Sequence, residues 1–378
     1  MTNQDRLYFL DNLKVFLIIL VILHHVGQAY GSTGGTWFYS YPGERVQIMG
    51  LFFWFNASFF MGLFFFISGY LFPPSFDHHG ARKFLINKLV RFGIPLLFGP
   101  LIMLPLLVYI QYNHYVSSID FKEFYSNIWF QSPGGTAAPQ YKINLAHLWF
   151  IEHLLIYSIL YVSTRWLLTR VSPSLANPGK RVIRIDTTIA YVLLLGLTTN
   201  IIRTAGGFPM DKWIGFLGFM QMEPAHMPQY LSLFIIGVLA CRWSFLDSIT
   251  RPGYIYWLIP GVGIYLMVII LLFTVGPKKA FGYAEFSEAL ICVGVCIGLL
   301  ALFRKYFNST GKIMKILSDN VYEMYIFHIP VVVALQYAFA PVIVDALSLF
   351  VIVSLLSVPG TFLVSYLLRL IPGLKRII

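Results

Sequence analysis

Side chains capable of acid–base chemistry interrupt the first long apolar stretch of the chain. Because a helix turns about 100° per residue, Lys14 and His25 fall on the same helical face as Asp11. Gln28 follows near the edge of that face, whereas His24 points about 100° away from His25. Imidazole is the side chain that most often transfers protons near neutral pH. The pattern therefore predicts a functional wall on this helix, with the His25 imidazole deep in the bilayer.

Asp11 and Lys14 admit two interpretations. Ionisable groups at membrane depth cost about 2.5–3.5 kcal/mol each, so they usually face a protein interior or a wet cavity. In that case both residues would support His25 in a catalytic site. Alternatively, they form an ion pair at the membrane interface, with the Lys14 ammonium extending towards water. Their shared face with His25 favours the functional interpretation.

The composition is that of a membrane protein. Of the 378 residues, 58% are hydrophobic and 11% are charged, and the mean hydropathy is +0.73. A soluble chain of this length could not bury so much apolar surface, so we expect an all-α bundle that crosses the membrane repeatedly. A net charge of +11 would indicate nucleic-acid binding in a soluble protein. Here basic cytoplasmic loops explain it.

Runs of about 20 apolar residues predict ten membrane-spanning helices in a single domain that covers residues 1–378. The intervening stretch 204–227 is predicted to be amphipathic and to place Trp213, Phe216 and Phe219 at the membrane interface. The predicted spans are 10–30, 48–72, 89–112, 147–168, 186–203, 228–242, 254–275, 283–303, 320–340 and 346–370.

The distribution of basic residues predicts the orientation of the bundle. If the N-terminus is cytoplasmic, 20 of the 27 lysines and arginines lie on the inside and seven on the outside. An even number of spans then places both termini in the cytoplasm. We therefore expect a multi-pass protein of the cell (inner) membrane.

Two further motifs lie near the ends of the second and third predicted spans. Ser68 and Gly69 interrupt an apolar run, where small residues more often mark a helix crossing than a catalytic serine. Lys88 and Arg91 share a helical face close to Arg82, which suits the binding of a phosphate-bearing ligand. Basic residues beside a membrane span also simply set its topology, and this second interpretation stays open.

Polar residues also interrupt the fourth and ninth predicted spans. Glu152 needs a partner inside the membrane, and we expect it either to orient an imidazole or to hold a basic group. His147 lies on the same span. Tyr325 and His328 are three residues apart and form a polar stripe on the ninth span. An aromatic interface belt explains the tyrosine but explains the histidine less well. We expect no metal site, because no residues have a metal-ligand spacing.

Six motifs, in this order along nearly the whole chain, resemble the integral-membrane acyltransferase family 3. They are LDNLK followed by His25, FFFISGYL, KLVRFGIP, HLWFIEHLL, YLSLFIIGVLA and VYEMYIFHIP. Within the family, YFLDNLKVFL, NKLVRFGIPLL and LRLIPGLK are most similar to members that succinylate periplasmic glucans.

The resemblance implies a ten-span bundle that takes an acyl group, acetyl or succinyl, from cytoplasmic acyl-CoA and transfers it to a hydroxyl of an extracytoplasmic carbohydrate. His25 would match the essential histidine of the family. Lys14 and Lys88 stand where the family usually has Arg, and Arg91 completes the second basic motif. A lysine keeps the charge but loses the bidentate fork of arginine. Acyl-CoA would be a donor substrate, and no tightly bound cofactor is expected.

Several alternatives stay open at this stage. Direct attack of the acceptor hydroxyl, activated by His25, is favoured over a transient acyl-enzyme on Ser68. A transporter or flippase could use the wall of Asp11, Lys14 and His25 to bind substrate or protons. A polymer-export scaffold without chemistry would not need His25 at all. The acceptor, the acyl group and the oligomeric state do not follow from the sequence.

Overall fold

The computed structural model describes residues 7–33, 37–129, 145–172, 174, 178–182, 184–218, 220–249, 252–342 and 344–374. Phe219 and several basic residues used for the orientation (Arg6, Lys142, Arg251, Lys375 and Arg376) lie outside these ranges. Within them most residues are helical, and Ile214–Phe216 and Met220–Met222 form one two-stranded antiparallel hairpin. The all-α prediction is confirmed apart from this hairpin.

The helices of the described part of the chain are numbered in chain order. Two π-helical turns, Leu89–Gly93 and Gly99–Met103, flank α4, and the hairpin follows α8. Its strands are β1 (Ile214–Phe216) and β2 (Met220–Met222). Helices α1 to α16 are, in chain order, Tyr8–Gln28, Met49–Ala57, Phe60–Lys88, Ile94–Phe98, Leu104–Tyr115, Phe121–Glu123, Trp149–Val171, Ile185–Thr204, Met227–Arg242, Phe245–Ser248, Leu258–Val275, Pro277–Ala280, Ala284–Tyr306, Lys312–Asp319, Val321–Phe339 and Ala346–Arg369.

Nine apolar helical segments among the described residues are long enough to cross a membrane. One of them, Met49–Tyr115, has 67 residues and contains both the second and the third predicted spans. At 1.5 Å per residue it would be about 100 Å long if straight, against a hydrocarbon core of about 30 Å. Gly80 interrupts it with φ of +73°, a left-handed conformation that favours glycine. The count of ten spans stays a prediction, as does the placement of the termini.

Helix α1 lies in the interior of the bundle. It packs against α3, α13, α15 and α16. Leu13, Leu17 and Ile22 have no exposed surface. The polar side chains of α1 therefore face neighbouring protein to a large extent, which is the arrangement that their cost in lipid requires.

The motif around Ser68 and Gly69 marks a close helix crossing, as the small residues predicted. A Cβ atom on Gly69 would lie 2.2 Å from the Phe234 carbonyl oxygen, and one on Gly237 would lie 2.1 Å from that of Phe66. Helices α3 and α9 therefore touch backbone to backbone, which only glycine permits. Ser68 is half-buried beside this contact.

The stretch after α8 contains the two-stranded hairpin. Ile214 pairs with Met222 and Phe216 with Met220. Phe216 is exposed, but Trp213 packs inward, with its ring 5.4 Å from that of Trp149. Tertiary packing thus gives this indole an aromatic partner inside the protein, and its place at the membrane interface stays a prediction.

Candidate active site

A cavity of about 600 Å³ lies at the C-terminal end of α1. Its walls come from the ends of several elements: the last turns of α1, the first turns of α3, α7 and α9, and the segment around the hairpin. Both polar and aromatic groups line it, including His25, Gln28, Trp37, His147 and Tyr325. A concave site of this size with convergent polar groups is the usual setting for a small-molecule reaction.

Gln28 fixes the state of His25. The Nδ1 atom of His25 lies 2.6 Å from Oε1 of Gln28, one helical turn further along α1. An amide oxygen only accepts hydrogen bonds, so Nδ1 carries the proton and donates it. Nε2 is then the basic nitrogen of the ring. The Trp37 ring meets the His25 ring edge-on at 4.8 Å and limits its rotation.

Two more histidines lie next to His25. The ring of His328 is 5.0 Å from that of His25 and 4.8 Å from that of His147. Each gives one N–H to a backbone carbonyl: His147 Nε2 to Ile326 at 2.9 Å, and His328 Nδ1 to Tyr325 at 2.6 Å. The remaining nitrogens, Nδ1 of His147 and Nε2 of His328, have no hydrogen-bond partner among the described residues. Since the other nitrogen of each ring carries the proton, these two nitrogens can accept a hydrogen bond.

The structure thus brings together four residues that the sequence placed on three separate helices. The hydroxyl of Tyr325 donates to the backbone carbonyl of His147, which joins α15 to the start of α7. His25 joins Tyr325, His147 and His328 through the contact between its own ring and the His328 ring. Within the described ranges, no group of three or more His, Cys, Asp or Glu side chains has an arrangement that could hold a metal ion.

His24 also reaches this cavity, which the helix geometry did not predict. The rings of His24 and His25 are 5.8 Å apart, and both residues line the cavity. His24 lies between the rings of Phe53, at 5.1 Å, and Phe60, at 5.2 Å. The two side chains leave α1 in directions about 100° apart, as expected for adjacent residues. The cavity is wide enough for both side chains to line it. The two histidines differ in their surroundings: His25 has a hydrogen-bond partner for Nδ1, and His24 lies among phenylalanines.

Asp11 and Lys14 do not line the cavity. Their side chains form an ion pair, with Nζ of Lys14 2.8 Å from Oδ1 of Asp11. Lys14 and His25 are eleven residues apart, a rise of about 16 Å. The expected wall is therefore divided into a local ion pair near the start of α1 and an imidazole site near its end.

The basic motif after α3 also lies apart from the cavity. The ammonium of Lys88 sits among the rings of Phe72, Phe84 and Phe92, at 4.3, 5.3 and 5.2 Å from their centroids. Arg82 is exposed. None of the motif's basic side chains is among the groups that line the cavity.

Helix α15 connects the basic motif with the histidines. The Arg91 guanidinium stacks on the Tyr322 ring at 4.6 Å, and the Tyr322 hydroxyl donates to the Arg91 carbonyl at 2.5 Å. His328 follows Tyr322 by six residues, a rise of only about 9 Å along the helix. The basic motif is predicted to bind phosphates, and the histidines are predicted to act on the reacting groups. Less than two turns of α15 therefore separate these two parts of the predicted site.

Glu152 plays a part that the sequence did not predict. Its Oε2 atom accepts from the backbone N–H of Gln221 at 3.1 Å. Oε1 of Gln221 in turn accepts from the backbone N–H of Leu145 at 2.9 Å. Glu152 thus fixes the hairpin against α7; this contact is with the backbone, not with an imidazole or a basic side chain as expected. Ser68 does not line the cavity.

A buried charge network that reaches the cavity wall was missed by sequence analysis. The guanidinium of Arg203 makes two hydrogen bonds to Glu288, at 3.0 and 2.7 Å, and its Nη2 atom lies 3.4 Å from Nε2 of His226. Nδ1 of His226 lies 2.8 Å from Glu223. The available signal was the presence of Arg203 and Glu288 at the ends of apolar stretches, since buried charges require partners. Nothing local indicated that they pair with each other.

Comparison with known proteins identifies the family. The family described as "Acyltransferase domain" (Acyl_transf_3) matches residues 7–370. The chain belongs to this family. The resemblance inferred from the six motifs is therefore confirmed.

Similar curated proteins come from Escherichia coli. The chain is 28% identical over 260 residues to "Glucans biosynthesis protein C" of strain K12, and 29% identical over the same length to that of O1:K1 / APEC. The aligned region covers 66% of this chain and 62% of each of those proteins. The chain thus spans less than two thirds of the length of these relatives. No solved structure shows significant similarity to the chain.

Proposed function

We propose that the protein is a membrane O-acyltransferase that moves an acetyl or succinyl group from cytoplasmic acyl-CoA to a hydroxyl of an extracytoplasmic glycan or glucan. One observation carries the proposal. In a chain of an acyltransferase family, His25 lines a cavity while Gln28 holds its Nδ1 proton, so that Nε2 is the basic nitrogen.

The proposed reaction is a direct transfer. Nε2 of His25 takes the proton of the acceptor hydroxyl, and the oxygen attacks the carbonyl carbon of the thioester. An ester C–O bond forms, the C–S bond breaks, and the proton passes from His25 to the sulfur of CoA. General-base catalysis of this kind typically contributes about 10²–10⁴ to the rate. An acyl-enzyme on Ser68 is less well supported, because Ser68 does not line the cavity.

The donor would approach along α15. Lys88, Arg91 and Arg82 would attract the phosphates of CoA, with Lys14 as a further cation on α1. The contact of Arg91 with Tyr322 places this motif about 9 Å of helical rise from His328, which touches His25. A thioester on a flexible arm could cover that distance. The ion pair of Lys14 with Asp11 would hold the ammonium in place.

In the proposed orientation the protein crosses the inner membrane ten times, and both of its termini lie in the cytoplasm. This orientation is supported by the charge distribution, in which 20 of 27 basic residues fall inside. In this orientation the C-terminal end of α1, and with it the cavity, lies on the extracytoplasmic side. A large hydrophilic acceptor could then reach His25 without crossing the membrane.

Mass spectrometry of the acylated product tests the proposal. Membranes that contain the protein are incubated with acetyl-CoA or succinyl-CoA and a periplasmic glucan fraction, beside membranes that contain His25→Ala. We expect a mass increase of one acyl group with the wild type only. Equal acylation by both would refute the role of His25, and a glucan unchanged under all conditions would contradict the acyltransferase proposal. The transporter alternative predicts movement of a solute that does not require acyl-CoA.

A further inference from the structure

The segment around the hairpin forms one wall of the cavity that holds His25. Met210, Asp211, Trp213, Gln221 and Glu223 all line it. The contacts of Gln221 with Glu152 and Leu145 attach this wall to α7. The wall is thus a fixed surface, built from different residues than those that carry the proposed chemistry.

Aromatic rings cover part of this wall in a continuous row. The Trp213 ring meets that of Trp149 edge-on at 5.4 Å, and the Trp149 ring stacks on that of Tyr230 at 5.3 Å and 28°. The Tyr230 ring stacks in turn on that of His226 at 5.7 Å and 21°. All four residues line the cavity. Rings held in this way offer a rigid apolar surface whose polar atoms lie at the edges.

Asp211 stands at the start of this row in a strained conformation. Its φ is +63°, which a residue with a side chain rarely adopts. Its backbone N–H donates to Oε1 of Glu223 at 2.8 Å. Strain of this kind persists only where the surroundings hold it, and it clusters at functional sites. Here it accompanies a carboxylate that lines the cavity.

Glu223 is itself held by the buried network. Burial raises the pKa of Glu223, but His226, the Asp211 N–H and Arg203 outweigh that effect and keep the pKa below its usual range. Glu223 is therefore ionised and engaged with protein groups on both of its oxygens. Arg203, locked by two hydrogen bonds to Glu288, supports His226 from behind. The network accounts for how the strained Asp211 backbone is maintained.

We propose that Asp211 and Trp213 form the subsite that binds the acceptor, and that its ligand is an uncharged pyranose ring with neighbouring hydroxyls. This inference rests on the proposed function. A carboxylate accepts hydrogen bonds from two adjacent hydroxyls, and the apolar C–H face of a sugar packs on an indole. Glu223 and His226 act as positioning residues, since they hold the Asp211 backbone and the aromatic row. The cavity volume of about 600 Å³ lies within the range of small-ligand sites.

Binding measured without acyl-CoA tests this assignment separately from catalysis. The full chain is purified in nanodiscs and titrated calorimetrically with a linear gluco-oligosaccharide. A second titration uses a glucose unit carried on a polyprenyl phosphate. We expect Asp211→Asn to raise the Kd for both probes at least about tenfold, the effect of one lost charge-assisted contact. Trp213→Leu should also raise the Kd for both probes about tenfold, because it removes the indole face on which the sugar packs. The probe that binds more tightly identifies whether the acceptor is free or lipid-linked.

Asp211→Gly separates binding from folding. Glycine adopts a φ of +63° without strain, so this variant should be at least as thermally stable as the wild type and yet lose the same affinity. Asp186→Asn and Trp166→Leu, at exposed positions, are matched controls that should bind normally. Wild-type affinity in Asp211→Gly and Trp213→Leu would overturn the subsite, as would a wild type that binds neither probe. Normal binding without any acyl transfer would instead contradict the proposed function alone.

Discussion

The imidazole of His25 is held by an uncharged amide. Its Nδ1 atom lies 2.6 Å from Oε1 of Gln28, and both residues belong to the last turns of α1. A carboxylate in that place would also fix the tautomer, but it would stabilise the imidazolium as well. The Gln28 amide fixes the tautomer of His25 but, being uncharged, does not stabilise the imidazolium as a carboxylate would. A base of this kind returns its proton readily, which suits a reaction in which the thiolate needs the proton at once.

Gln28→Glu should therefore change the pH dependence of the reaction and not only its rate. The new carboxylate stabilises protonated His25, so the acid limb of the kcat/KM profile moves to higher pH. Gln28→Leu should lose about tenfold or more in kcat at every pH, because the ring can then adopt the wrong tautomer. The measurement is acyl transfer between pH 5 and 9 at matched protein levels. An unchanged profile in Gln28→Glu would mean that the pair does not act in catalysis.

His25→Ala should abolish turnover, with a loss of about 10²–10⁴-fold. Its abundance in the membrane should stay near that of the wild type, because replacing a polar residue with Ala makes insertion easier. His24→Ala is the matched variant in the same cavity and should cost much less, since His24 lies among Phe53 and Phe60. The measurement is the amount of acylated product that each variant forms. If His24→Ala is the inactive one, the catalytic assignment is wrong.

Lys14 should act through its charge. Lys14→Arg keeps the ion pair with Asp11 and should retain most activity, whereas Lys14→Ala should lose it. The KM for acyl-CoA is the parameter to follow, because the proposed role is to attract the donor. Equal loss in both variants would show that the site is fitted to an ammonium. Normal activity in both would leave Asp11 and Lys14 with only a structural role.

Glu288→Gln should destabilise the protein strongly. The substitution removes the charge that compensates the buried guanidinium of Arg203, and breaking such a pair typically costs about 3–5 kcal/mol. Thermal unfolding in detergent measures the effect. Asp186→Asn removes a charge from an exposed ion pair with Arg184, and should change stability by less than about 1 kcal/mol. Similar melting temperatures for the two variants would show that the network is not buried in the membrane-embedded protein.

The orientation can be tested by labelling single cysteines. In a variant without Cys241, Cys292 and Cys296, a cysteine that replaces exposed Thr33 should react with a membrane-impermeant thiol reagent in intact cells. A cysteine in place of exposed His78 should be protected until the cells are opened. The opposite labelling pattern would reverse the orientation and would remove the basis for acyl transfer across the membrane.

The sequence determined the features that depend on local chemistry and on periodicity. Apolar length predicts membrane helices because the bilayer requires internally bonded segments, and all nine apolar helical segments identified within the described ranges fall where spans were predicted. The Gly69 crossing followed from residue size alone, since only a missing side chain allows backbones to touch. Six motifs were enough to recognise the family.

Only the tertiary structure decided which distant residues meet. His25, His147 and His328 come from three helices separated by more than a hundred residues each, and no periodicity relates them. One-helix geometry also misplaced the boundary of the site. It grouped Lys14 with His25 and separated His24, because a helical wheel gives direction but not the height or the width of a cavity. The pairing of Arg203 with Glu288 depends in the same way on how α8 and α13 pack, which is a property of the whole bundle.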